Sequence, residues 1–286
     1  MGLFSKNNLR EKRAIKASEK RKHLSSRAEY LLNDETPFDI TEAFRNLKAS
    51  ISVSVPKKDG GLIIMATSAF PEDGKTTVTV NLALMFALSD AKVVLVDADI
   101  RKGRVAKYFK QKSVPGLSDY LSGQNTLKEV THVSHVNKNL SYITCGTHSP
   151  RPYELLESEE MLSLLQQLRK EYDYIIIDTP PVLLLSDALA LSTAVDGAVL
   201  VCRHQVSYIS DIERALEILK FSKANVLGVV VNDYKTPKSK GYYGGYHGYG
   251  YKKYYYYNSY AYGSKGYETT EQQDAPSDDV EENSAK

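Results

Sequence analysis

Residues 69–77 read Ala-Phe-Pro-Glu-Asp-Gly-Lys-Thr-Thr. This is the spacing of a loop that cradles phosphates on backbone N–H groups, with Ala69 where the first glycine usually stands. In such a loop Pro71, Glu72, Asp73, Gly74, Lys75, Thr76 and Thr77 surround the phosphates of ATP. Lys75 reaches the β- and γ-phosphates, and the Thr76 hydroxyl ligates Mg²⁺. The acidic pair Glu72-Asp73 is an unexpected neighbour for that charge. Further on, the apolar run Val93–Val96 leads into Asp97-Ala-Asp99-Ile-Arg101, and Ile175–Ile177 leads into Asp178-Thr-Pro-Pro181. Carboxylates on alternate residues diverge if a strand continues and converge if it turns. One strand-helix unit after a phosphate loop, Asp97 and Asp99 are candidates for a magnesium ligand and a base, and Asp178 for a second magnesium-linked carboxylate. Each motif alone has an ordinary reading: a solvated lysine at a corner, surface charge, a helix-capping aspartate. All three in order at strand ends predict a site for ATP and Mg²⁺.

Positioning these groups requires a particular architecture. Apolar runs at 62–66, 93–96, 140–144, 174–177, 198–202 and 226–231 read as strands. Between them, 76–88, 158–172, 186–194 and 208–222 read as helices, and a further helix over 40–54 precedes a turn at 56–61. In 158–172, Met161, Leu164, Leu165 and Leu168 make one apolar face. Strands that are apolar throughout are covered on both sides, which predicts an α/β fold with a doubly wound, mostly parallel sheet. Such sheets bind ligands at the carboxyl ends of their strands, where the three motifs fall.

Composition divides the chain into four parts. Residues 1–36 form a basic tail, with nine Lys/Arg against two Glu up to Ala28, and we expect it to lie outside the core. Its charge, with Leu3 and Phe4, suits either plain solvation or an anionic lipid surface. Residues 37–236 form the nucleotide domain. Residues 237–267 hold twelve of the 21 tyrosines among Gly and Lys, and from 241 onward no acid. Residues 268–286 are acidic. Both tails read as flexible. A near-balanced middle gives no sign of nucleic-acid binding. The longest apolar stretch, 182–202, is broken by Asp187 and Asp196, short of the ~20 residues a membrane-spanning helix needs. Cys145 and Cys202 sit in apolar runs without metal-ligand spacing, and read as buried reduced thiols of a cytoplasmic protein. His132 and His135 have no partner cluster and read as surface residues.

With these motifs and the tyrosine segment in hand, residues 41–267 resemble the bacterial tyrosine kinases of capsule and exopolysaccharide gene clusters, in their cytoplasmic Gram-positive type. The fold implied is that of P-loop NTPases in the ParA/MinD-like subgroup with a deviant second motif. The resemblance implies catalytic roles for Lys75, Asp97, Asp99 and Asp178, with Thr76, Asp99 and Asp178 serving the metal and Asp97 accepting the tyrosine proton. It implies acceptor tyrosines at Tyr242, Tyr243, Tyr246, Tyr249, Tyr251, Tyr254, Tyr255, Tyr256, Tyr257, Tyr260, Tyr262 and Tyr267. The family's Glu-x-x-Arg-x-x-Arg oligomerisation motif reads here Glu42, Arg45 and Lys48, a departure at the last position, where lysine lacks arginine's two-pronged fork. Also implied are a homo-oligomeric ring, a transmembrane activator whose cytoplasmic tail recruits the kinase to the inner face of the membrane, and a cognate tyrosine phosphatase. Two rivals share the site: a ParA/MinD-like switch ATPase, which usually carries a second lysine near Phe70, and a non-enzymatic nucleotide-dependent scaffold for polysaccharide assembly.

Overall fold

Runs of valine, isoleucine and leucine become the strands of one seven-stranded sheet, and the amphipathic stretches between them become helices on its two faces. The computed structural model describes residues 27–56 and 59–234. In chain order the elements are α1 (Phe38–Ser54), β1 (Leu62–Ser68), α2 (Lys75–Ala87), β2 (Val93–Asp97), α3 (Val105–Tyr108), α4 (Leu117–Leu121), α5 (Leu127–Val130), β3 (Thr131–Val133), β4 (Leu140–Ile143), α6 (Pro152–Glu157), α7 (Glu159–Glu171), β5 (Tyr174–Asp178), α8 (Asp187–Ala190), β6 (Gly197–Arg203), α9 (Ile209–Phe221) and β7 (Val226–Asn232). The strand order is β3-β4-β2-β5-β1-β6-β7. Every neighbouring pair is parallel except β3 with β4.

Alternation along each strand builds two cores. Ile63, Met65, Val94, Val96, Ile175 and Ile177 face one side, where Met161, Leu164, Leu165 and Leu168 of α7 pack with Ala215 and Leu219 of α9. Leu62, Ile64, Val93, Leu95 and Ile176 face the other, under α2. Helix α2 is buried almost all round because α1, through Ile51, and Val55 just after it cover its outer side. That explains why its sequence is apolar without a clear stripe.

The structure corrects two expectations. The helix expected over 186–194 is a single turn, Asp187–Ala190. The Ser192 hydroxyl donates to the carbonyls of Leu189 and Ser222, offering the backbone a partner outside a helix. Likewise, the segment before residue 37 does not all lie outside the core. A short 3₁₀ turn at Ala28–Tyr30 brings Leu31 and Leu32 into the α2 core. There the Asn81 carboxamide accepts from the Leu32 N–H at 2.8 Å and donates to the Tyr30 carbonyl at 2.7 Å. Asn81 is 2% exposed. Replacing it with alanine leaves both backbone groups without that partner, so we expect a loss of about 1–3 kcal/mol in urea unfolding. An unchanged midpoint would mean that this segment does not pack on α2 in solution.

The one-turn helices α3 to α6 and the edge strand β3 were not foreseen. The acceptor tyrosines, all of 237–286 and the basic residues up to 26 lie outside the described residues. Among those described, no helix is long and apolar enough to cross a membrane.

Candidate active site

Three strands deliver the site. The parallel register sets Asp97 of β2 beside Asp178 of β5, and Asp178 beside Ala66 of β1, so both carboxylates stand at the edge where β1 runs into the phosphate loop. Cross-links hold the three tips together. The Ala98 N–H donates to the Asp178 carbonyl at 2.8 Å, and the Thr67 hydroxyl to the Pro180 carbonyl at 2.8 Å. The chain turns directly after Asp97, which is the condition for Asp97 and Asp99 to converge.

The loop itself is internally braced. Its backbone enters the left-handed region at Glu72 (φ 72°) and Gly74 (φ 86°), geometry of the kind that turns backbone N–H groups toward a concave, anion-accepting side. Gly74 caps α2, and a Cβ there would lie 1.8 Å from Asn232 Nδ2, so conformation and space both demand glycine. The Asp73 carboxylate accepts from the Phe70 N–H at 3.1 Å and the Ser207 hydroxyl at 2.8 Å. Asn232, the last residue of β7, donates to the Asp73 carbonyl at 3.0 Å. The apparent conflict between acidic residues and phosphates therefore eases: Asp73 is spent holding the loop closed, while Pro71 and Glu72 are exposed on its outer turn.

Lys75 and Thr76 converge on Asp178. Lys75 Nζ lies 2.6 Å from Asp178 Oδ1, and the Thr76 hydroxyl donates to Oδ2 at 2.7 Å. The Thr79 hydroxyl adds a longer bond to Oδ1 at 3.2 Å. Thr77 instead meets the Tyr108 hydroxyl at 2.6 Å, pinning α3 to the start of α2. Asp97 is fully buried and accepts from the N–H groups of Val105 (3.0 Å) and Asp99 (3.3 Å). Burial, and then the charge of Asp178, push its carboxyl well above the usual range. Burial also raises Asp99, against the pull of Lys75 and the Lys102 N–H. Beside them, burial and the charges of Asp97 and Asp99 push the Cys145 thiol up to about 12, so it stays protonated and inert.

Sequence reasoning missed several supports. Asp187 is fully buried and takes a two-pronged pair from Arg101, Nε to Oδ2 at 2.7 Å and Nη2 to Oδ1 at 3.1 Å, tying the loop after Asp99 to α8. Its signal was present: a charge inside an apolar run needs a partner. Asp196 likewise pairs with Arg169 at 2.8 Å. A Cβ at Gly103 would meet Cys145 at 2.5 Å and Asp97 Oδ2 at 2.6 Å, so only glycine lets the chain pass this close to the carboxylate. Glu42 and Arg45 pair within α1, and Lys48 reaches the Ser89 hydroxyl. His132 is half-buried against Tyr142 rather than on the surface, while His135 is exposed.

The donors fit magnesium. Thr76, Asp99 and Asp178 offer hard oxygens, and Lys75 is the cation that faces three neighbouring carboxylates. Among the described residues no three acidic, histidine or cysteine side chains are placed to hold a metal by themselves. That suits an ion bound through one or two carboxylates with the remaining ligands from water and phosphate.

Comparison with known proteins bears on the family and the fold. A family model described as an AAA domain matches residues 72–224. A tyrosine-protein kinase from Bacillus subtilis, YwqD, is 35% identical over 207 residues, 71% of this chain and 86% of its own length. A Klebsiella pneumoniae protein described as a putative tyrosine-protein kinase in the cps region is 35% identical over 72% of this chain. This chain spans only 27–31% of the length of the Ralstonia, Klebsiella and Escherichia coli relatives. The solved kinase domain of the E. coli tyrosine kinase Etk superposes with a TM-score of 0.63 at 34% identity, covering 71% of this chain and 80% of that one. The fold extends to the cell-division ATPase MinD of Pyrococcus furiosus, at a TM-score of 0.52 and 25% identity over 61% of this chain and 73% of that one. With a relative matched over most of both lengths, the chain belongs to the bacterial tyrosine-protein kinase family.

Proposed function

We propose that this protein is a tyrosine autokinase that moves the γ-phosphate of ATP onto tyrosines of residues 242–267, its own or those of a neighbouring copy. One observation carries the reading. Lys75, Thr76, Asp97, Asp99 and Asp178 meet at one sheet edge, and β7 leaves the described structure at that same edge, its Asn232 touching the phosphate loop just before the tyrosine segment. Bound Mg·ATP supplies the phosphoryl group, with the metal offsetting charge on the phosphate oxygens. Lys75 and the N–H groups of residues 72–77 hold the phosphates, while Thr76, Asp99 and Asp178 take the metal. In this reading Asp97, buried in the nucleotide-free fold, is uncovered to orient an incoming phenol and take its proton as the phenol oxygen bonds to the γ-phosphorus and the bond to ADP breaks.

The name of the Klebsiella relative supports a setting in capsule or exopolysaccharide synthesis. Around the kinase we place a membrane activator with a cytoplasmic tail, a cognate phosphatase, and a ring assembled through Glu42, Arg45 and Lys48. Each phosphotyrosine adds about −1.5 to −2 charge, so heavy modification turns 242–267 strongly negative and loosens any oligomer held by that segment. The alternative is a switch ATPase on the same fold.

The test incubates the full chain with Mg·ATP, with and without a candidate activator tail, and locates phosphate by mass spectrometry in wild type and Lys75→Met. Phosphotyrosine within 242–267 in wild type alone is expected. Steady ATP hydrolysis without phosphotyrosine under either condition would assign the site to the switch ATPase.

A further inference from the structure

Residues 101–112 carry six cations, Arg101, Lys102, Arg104, Lys107, Lys110 and Lys112, and no acid. The strip wraps the carboxylate end of the site. The Lys102 N–H donates to Asp99 at 2.9 Å, the Val105 N–H to Asp97, and Tyr108 is bonded to Thr77. Arg101 is committed to Asp187. The lysine side chains are exposed, and the ion pairs among the described residues use none of them. Four like charges on one short stretch repel each other and concentrate positive charge on the exposed face of this strip.

The chain carries a complement. Residues 268–286 hold seven acidic side chains against one lysine, directly after the last tyrosine of the cluster, Tyr267. The geometry along the sheet edge matches the order along the chain. Strand β7 ends four strands from β2, with β6, β1 and β5 between them, a distance of about 19 Å at ~4.8 Å per strand. The phosphate loop and both catalytic carboxylates lie between those two points. The 33 residues from 235 to 267 span far more than this, up to ~110 Å fully extended, so reach imposes no limit.

We propose that residues 268–286 dock through their carboxylates on the lysines of this basic collar, holding the tyrosine segment across the site from both ends. This rests on the reading of 242–267 as the acceptor. Docking raises the effective concentration of the tyrosines near the anchor, Tyr260, Tyr262 and Tyr267, at Asp97. It also gives the acidic segment a role that the chemistry of transfer leaves unassigned.

The test has a readout that needs no kinase activity. The full chain, without nucleotide, is treated with a zero-length carbodiimide cross-linker and mapped by mass spectrometry. Links from Asp or Glu of 268–282 to Lys102, Lys107, Lys110 or Lys112 are expected, and they should vanish at about 1 M salt, where charges are screened beyond ~3 Å. Links running instead to the lysines of residues 1–28, or no links to the collar, overturn the proposal. In a second arm, the triple variant Lys107→Glu, Lys110→Glu, Lys112→Glu should lose roughly tenfold in phosphorylation of Tyr260, Tyr262 and Tyr267 with unchanged ATP affinity. Reversing the acidic residues of 268–282 to lysine in that variant should restore it. Collar links without any wild-type phosphotyrosine would sink the autokinase reading alone; phosphotyrosine without collar links would sink the docking alone.

Discussion

Asp178→Asn lowers phosphotyrosine formation by roughly 10²–10³-fold, the loss expected when a group that organises developing charge is removed. One carboxylate receives Lys75 at 2.6 Å and Thr76 at 2.7 Å, so its loss frees both phosphate-loop side chains together. Stability should follow the same logic. The Lys75 and Asp178 side chains are 8% and 0% exposed, and removing one partner of a buried pair costs about 3–5 kcal/mol, because the other charge stays behind. Lys75→Met and Asp178→Asn should therefore each lower the urea midpoint, whereas the double variant should lose clearly less than the sum of the two. Activity in all three should be comparably low, since the pair acts as a unit. Additive stability losses, or substantial phosphorylation in Asp178→Asn, would mean that the ion pair is not the centre of this site.

Much of that centre is legible in the chain because it lies at strand ends. An apolar run followed by Asp places a carboxylate at a sheet edge, and the continuous apolarity of 93–96 and 174–177 implies a parallel sheet that lines such edges up. What adjacent sequence does not encode is which strands become neighbours. The pairing of β2 with β5, which sets Asp97 against Asp178, joins residues 81 positions apart in a register only the fold supplies. The missed supports are of the same kind. Ser207, just past β6, and Asn232, the last residue of β7, brace the phosphate loop, and neither residue type is unusual where it stands. The helices α3 to α6 escaped notice because four to six residues cannot show a 3.6-residue period. Leu31 and Leu32 were hidden between Glu29 and the polar run Asn33-Asp34-Glu35, although a short apolar step ahead of Pro37 was there to be read.

Asp97→Asn should lower tyrosine phosphorylation by about 10²–10⁴-fold, the range for losing a positioned general base, while making the nucleotide- and magnesium-free protein more stable at neutral pH. The first half follows from position, the second from the cost of the charge. Burial, Asp178 and Asp99 all raise the Asp97 pKa, and the Val105 N–H and Lys75 offset them only in part. A group whose folded pKa exceeds its unfolded value of about 3.9 favours the fold most when protonated. Its contribution is fully present below the unfolded pKa and is lost as pH rises through the folded one. Asparagine approximates the protonated form at every pH. It keeps an oxygen for the Val105 N–H at 3.0 Å and gives up the longer bond from Asp99 at 3.3 Å. The stability difference between Asp97→Asn and wild type should therefore be largest near neutral pH and shrink on acidification, as measured by urea unfolding from pH 5 to 8 in chelator. A variant destabilised equally at every pH would make Asp97 a structural hydrogen-bond acceptor rather than a charge maintained for the reaction. A stabilised but inactive variant would show that the reaction needs a carboxylate whose burial costs the fold stability, as expected of a group kept for function rather than for the fold.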